Sequence, residues 1–183
     1  MKKIYILIGV LALFAVYVWT AYNGLVTKRE AVSGQWAQVE TQYQRRFDLI
    51  PNLVEAVKGT MEQEQTVFGA IADARTKYSG AQTTDEKAFA ASEMESSFAR
   101  LLVIMENYPQ LKSAENVQTL MAQIEGTENR VGVERGRYND AVKEYNLGLK
   151  RFPSNLVAGL FGFGNKEYFE AASAAAEAPA VQF

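Results

Sequence analysis

The sequence contains no cysteine and no histidine among its 183 residues. Without cysteine there is no disulfide framework, no thiolate chemistry and no lipobox for a lipid anchor. Without histidine the usual general base at neutral pH is missing. So are the commonest transition-metal ligand and every Ser-His or Cys-His nucleophile pair. Proline is scarce, with four residues, and no stretch of useful length alternates apolar and polar side chains as a half-buried strand does. An excess of one charge is also lacking. Nineteen Lys and Arg against 21 Asp and Glu leave a net charge of −2, which disfavours nucleic acid as a partner.

What remains is ordinary for a globular chain, at 48% hydrophobic and 22% charged residues, and the length suits one domain plus an anchor. Met1-Lys2-Lys3 leads into Ile4–Tyr22, which carries no charge. About 19 residues at about 1.5 Å each reach roughly 28 Å, close to a hydrocarbon core of about 30 Å. Trp19 and Tyr22 stand where interfacial aromatics belong. A cleaved signal peptide would have a shorter apolar core and a small-x-small site, but no Ala-x-Ala lies between Leu11 and Gly24. Residues 1–22 therefore read as an uncleaved, single-pass membrane anchor. Lys2, Lys3 and the amino terminus abut the apolar run, whereas Lys28 and Arg29 lie beyond it. The positive-inside rule then favours an exported body.

The stretch Arg45-Arg46-Phe47-Asp48-Leu49-Ile50-Pro51-Asn52-Leu53-Val54-Glu55 organises the rest. Before it, Leu25, Arg29, Val32, Trp36, Val39, Tyr43 and Phe47 recur at steps of three and four, one helical stripe that continues the anchor. Gly24, at about 1 kcal/mol in a helix interior, is too weak a breaker to separate the two. Pro51 is expected to end this helix, with Asp48 or Asn52 as the cap of the next and Asn52-x-x-Glu55 resembling a capping box. That second helix carries Leu53, Val57, Met61, Glu64, Phe68, Ile71 and Tyr78 and stops at Ser79-Gly80-Ala81. Thr83-x-x-Glu86 is a capping box for a third, with Ala91, Met94, Phe98, Leu101, Met105 and Tyr108. After Pro109 comes the longest stripe, from Val117, Leu120 and Ile124 to Tyr138, Val142, Tyr145 and Leu149, with Glu128 and Arg135 on its seam.

Short joints between amphipathic helices predict an all-α fold: a transmembrane helix continuous with an antiparallel, up-down-up-down four-helix bundle. The expected divisions are 1–22 anchor, 23–152 bundle and 153–183 an apolar segment followed by an alanine-rich tail. Within the last, Asn155–Phe163 is too short to span a membrane and too apolar for a solvent loop. An antiparallel fourth helix would return it to the lipid surface.

Several segments resemble the LemA family: Tyr22-Asn23-x-Leu25-Val26, Arg45 through Val54, Glu106-Asn107-Tyr108-Pro109-x-Leu111-Lys112, Thr127-Glu128-Asn129-Arg130, Arg137-Tyr138-Asn139, Tyr145-Asn146 and Phe152 through Phe163. The match runs in order over nearly the whole chain. It implies a bacterial membrane-anchored four-helix bundle with no catalytic residues to carry over. It also implies a cytoplasmic body, against the flanking charges, and envelope partners that include a membrane protease.

Di-iron chemistry needs inward Glu-x-x-His pairs, which a chain without histidine lacks. Glu62/Glu64 and Glu93/Glu95 read as solvated faces, and no metal or cofactor is expected. Glu128 and Arg135 are read as an inter-helix ion network with Arg45, Arg46, Asp48, Glu55 or Glu106, because buried charges persist only when paired. The rival reading is a ligand site at that layer. The repeated Tyr-Asn pairs, Tyr22-Asn23, Tyr138-Asn139 and Tyr145-Asn146, are a recognition surface, or tyrosines lining the core with their hydroxyls at the rim. Gly132 and Gly136 allow another helix to approach, or make room for Trp36 or Phe98. Leu156, Leu160, Phe161, Phe163, Tyr168 and Phe169 form the expected interface, to lipid or to a second copy. Together these point to a non-enzymatic, membrane-tethered scaffold that self-associates or binds envelope proteins. A membrane-anchored sensor with a small ligand at the Glu/Arg layer is the alternative.

Overall fold

The first helix outruns its apolar stretch because the residues beyond Tyr22 keep the same helical period and bury one face of it. A computed structural model of the chain describes residues 2–169, and among these there are six helices and no strand. The helices are α1 (Lys2–Lys58), α2 (Gln65–Gly80), α3 (Thr84–Met105), α4 (Pro109–Lys112), α5 (Glu115–Lys150) and α6 (Ser154–Phe161). The apolar run of α1 is long enough to cross a membrane, and none of its best window is buried against protein. From Leu25 the same helix starts to bury a stripe: Leu25, Val32, Val39, Tyr43 and Phe47.

Pro51 does not end α1, contrary to the expectation from sequence. The helix passes through it to Lys58, and Asn52 is an exposed helical residue, not a cap. An interior proline costs about 3 kcal/mol through a lost amide bond and a ring clash. Against this, Ile50, Leu53 and Val57 continue the stripe with no exposed surface, each side chain worth about 1.5–3 kcal/mol of burial. The burial wins. The break comes at Gly59-Thr60, where the Val57 carbonyl accepts from the amides of both Thr60 and Met61 at 3.1 Å.

The described residues fall into two compact units. One comprises residues 40–133. In it α2 packs on α3, and Phe47 meets Tyr78 edge-on at 4.4 Å between ring centroids. Thr83 and Glu86 form the capping box that starts α3. Pro109 takes the first position of α4, where its missing amide costs nothing.

The other unit comprises residues 2–39 and 134–169. Its part of α5 runs antiparallel to α1: Gln35 meets Glu134, Trp36 meets Tyr138, and Lys28 meets Glu144. Gly148 then allows a close approach, since a Cβ there would stand 3.3 Å from Leu25 Cδ2. The Ser154 hydroxyl donates to the Gly148 and Arg151 carbonyls as α6 begins. Gly162 ends α6 in the left-handed region, at φ 69°, a conformation that glycine adopts without strain. The alanine-rich tail expected after this lies outside the described residues.

Candidate functional site

In the unit formed by residues 2–39 and 134–169, α6 splits its apolar side chains between two environments. Val157 and Ala158 are buried, whereas Leu156 is 62%, Leu160 75% and Phe161 50% exposed, and Phe152 just before the helix is 80% exposed. Phe161 and Phe163 also set their rings edge-on to Tyr22, at 4.9 and 5.5 Å. Tyr22 closes the apolar run of α1, so this segment sits at the end of that run. Arg29 lies over the face of Phe163 at 5.6 Å, a cation–π contact.

From Phe163 to Phe169 the chain runs without helix, and the two Tyr-Asn pairs of α5 hold it. Asn146 donates to the Lys166 carbonyl at 2.8 Å and accepts the Lys166 amide at 2.9 Å. Asn139 does the same to Phe169, at 3.0 and 2.7 Å. The hydroxyl of Tyr145 donates to the Gly164 carbonyl and that of Tyr138 to the Glu167 carbonyl. Seven helical residues rise about 10.5 Å, and three extended residues rise about 10 Å. The two registers match, so a seven-residue repeat on α5 grips every third residue of the strap. Burial pushes the Tyr145 phenol up, with Arg29 pulling it slightly the other way, and the hydroxyl stays a donor. Arg135 stacks over the Phe169 ring at 4.4 Å, and Tyr168 stays exposed.

The charged residues behave differently from the seam seen in sequence. The buried cation is Arg46, 4% exposed, and Thr127, not Glu128, is buried on α5. Arg46 donates to Glu95 at 3.3 Å, pairs with Glu128, whose side chain is 48% exposed, and lies over the Phe98 ring. Its Nε is buried without a partner. Arg45, Asp48, Glu55 and Glu106 are exposed. Asp48 accepts from Gln44, and Glu106 approaches Lys112 at 4.0 Å. Arg45 instead lines a shallow groove with Leu49, Gln123, Thr127 and Arg130. Burial, then Glu40 and Tyr43, hold the Tyr78 phenol well above its usual range. Among the described residues no three Asp or Glu side chains gather as a metal ion requires.

The family model for LemA matches residues 35–183, most of the chain. The chain belongs to the LemA family. It is also similar to the magnetosome proteins MamQ 1 and MamQ 2 of Paramagnetospirillum magneticum, each 25% identical in an alignment 175 residues long, with 81% of this chain and 64% of theirs covered. MamQ of Magnetospirillum gryphiswaldense is 24% identical over 174 residues, with the same coverage. The chain thus spans 64% of the length of these relatives.

In this LemA-family chain, sequence reasoning missed Glu95 as a partner of Arg46 and Phe152 as part of the exposed apolar patch. Glu95 looks like one of a solvated pair with Glu93, and only tertiary packing brings it to Arg46. Phe152 could have been found, since it lies four residues before Leu156 and eight before Leu160. The double role of Asn139 and Asn146 has a sequence signal as well: two Tyr-Asn pairs one heptad apart.

Proposed function

We propose that this LemA-family protein is a non-enzymatic, membrane-tethered scaffold that assembles with copies of itself and with envelope proteins. The apolar run of α1 serves as the tether. The helical parts between residues 40 and 133 belong to an up-down-up-down four-helix bundle. The observation that carries the reading is on α3. Phe89 and Val103, 65% and 66% exposed, lie on the face opposite the buried Met94, Phe98 and Leu101. Ser92, Ser96 and Ala99 fill the steps between them at three and four residues, a seam with small residues at its centre.

Two such seams packed antiparallel would set Phe89 against the Val103 end of a second copy. Glu93 on one copy would then face Arg100 on the other, twice, by the two-fold symmetry. The relatives are named for the magnetosome and not for a reaction, which fits a scaffold better than an enzyme. The test uses the native absence of cysteine. In the full chain in nanodiscs, Ser96→Cys should form a disulfide-linked dimer much faster than Gly80→Cys, and Phe89→Glu should abolish it. Equal cross-linking at the two positions would sink the reading.

A sensor is the second reading. A ligand at the Arg46 layer has little support, because that guanidinium already meets Glu95, Glu128 and the Phe98 ring. The groove lined by Arg45, Arg130, Gln123 and Thr127 supports a small anion instead. A rise in melting temperature with inorganic phosphate, lost in Arg45→Ala/Arg130→Ala, would favour it.

A further inference from the structure

We infer that α6 is a lipid-contacting element that lies in the interface of an anionic bilayer, with Leu156, Leu160, Phe161 and Phe152 toward the acyl region and Lys150 and Arg151 toward the headgroup phosphates. The inference rests on the reading of α1 as a membrane tether, and adds to it a second, peripheral contact made by the other end of the chain.

Three observations meet here. First, α6 exposes Leu156 and Leu160 on one side while Val157 and Ala158 fix its other side to protein, where Phe161 stays half exposed against Tyr22. An exposed apolar cluster on so short a helix calls for a non-aqueous neighbour. Second, its position is set by contact. The Phe161 and Phe163 rings touch Tyr22, and Trp19, one helical turn earlier, is exposed among the exposed residues of the run. A bilayer that covers the run and Trp19 has its polar boundary at Tyr22, where aromatic belts lie. The apolar face of α6 is continuous with that surface.

Third, the charge fits. Lys150 and Arg151 are exposed and directly precede Phe152, and no acidic residue occurs between Lys150 and Lys166. Glu144, the acidic residue next along α5, is engaged by Lys28. Cations beside an amphipathic helix with aromatic and leucine side chains are the chemistry of attachment to anionic lipid. A second copy is a poorer occupant, since a symmetric contact would oppose the same cations.

The experiment places one environment-sensitive fluorophore on the full chain, at Leu160→Cys, in vesicles of phosphatidylcholine and phosphatidylglycerol. Labels at Gly80→Cys and Phe14→Cys are the references for water and for the hydrocarbon core. With α6 in the interface, Leu160→Cys is quenched by lipid carrying a shallow nitroxide and is shielded from iodide about threefold or more relative to Gly80→Cys. Lys150→Glu with Arg151→Glu should reduce the shallow quenching about threefold in anionic vesicles and little in pure phosphatidylcholine. Iodide access equal to that at Gly80→Cys overturns it. Shielding without nitroxide quenching, increasing with the protein-to-lipid ratio, overturns it in favour of a second copy. If Phe14→Cys is in lipid while Leu160→Cys is in water, only the inference fails. If both are in water, the tether reading falls and the inference with it.

Discussion

The buried guanidinium of Arg46 is tied to the carboxylate of Glu128, half of whose side chain stands in solvent. The two ends of this pair are therefore unequal. Removing the carboxylate leaves a cation inside the protein, whereas removing the cation leaves carboxylates that water can reach.

We expect Glu128→Gln alone to cost about 1 kcal/mol, as for a half-exposed pair, because Glu95 still faces Arg46. Glu95→Gln together with Glu128→Gln strands the charge and should cost about 3–5 kcal/mol, more than the two single changes summed. Arg46→Met should be milder than the double change. Urea denaturation of all four variants checks this, and additive losses would contradict it.

The capping box at Thr83 gives a pH signature. Backbone amides of Gln82 and Thr83 donate to Glu86 and hold its carboxyl below the usual value of 4.5. A lowered carboxyl in the folded state stabilises above the unfolded value, and this contribution is lost as pH falls below 4.5 through the folded value. Glu86→Gln should flatten the acid limb of the melting-temperature profile. Thr83→Ala should remove about 1 kcal/mol at neutral pH. Thermal melts from pH 7 to about pH 3 measure both.

Glycines on α5 should respond in opposite directions. A Cβ at Gly132 or Gly136 meets nothing, so Gly132→Ala and Gly136→Ala should each stabilise by about 0.5–1 kcal/mol through helix propensity. At Gly148 a branched side chain has no room beside Leu25 and Lys28, and Gly148→Val should destabilise by about 1–3 kcal/mol. Equal melting shifts at the three sites would refute the packing described.

For the strap, Asn146→Ala removes both bonds to Lys166 and should raise amide exchange at that residue. At about 1 kcal/mol per bond, the increase is at least about tenfold. Asn146→Asp keeps the acceptor but loses the donor, and should fall between. Hydrogen exchange at Lys166 with no change in either variant would mean that something else holds the segment.

The all-helical class, the continuous first helix, the capping box at Thr83 and the long stripe of α5 were legible because each is a local pattern. Pro51 misled because its effect is local while the burial of Ile50, Leu53 and Val57 that overrides it is tertiary. Glu128 was placed on the seam by counting from neighbours that are themselves buried. The true inward residue is Thr127, whose hydroxyl donates to the Ile124 carbonyl and so needs no partner from outside its helix. Arg46 could not be told from Arg45 by composition. Only the pairing of Glu95 and Glu128 around one guanidinium separates them.

The Tyr-Asn grip on residues 164–169 has a further consequence. All four clamps reach main-chain atoms, so they gauge spacing and ignore side-chain identity. Most side chains could change there without loosening the grip, proline at 166 or 169 excepted because those amides donate, but one letter inserted or dropped between Gly164 and Phe169 would put the two Tyr-Asn pairs out of step.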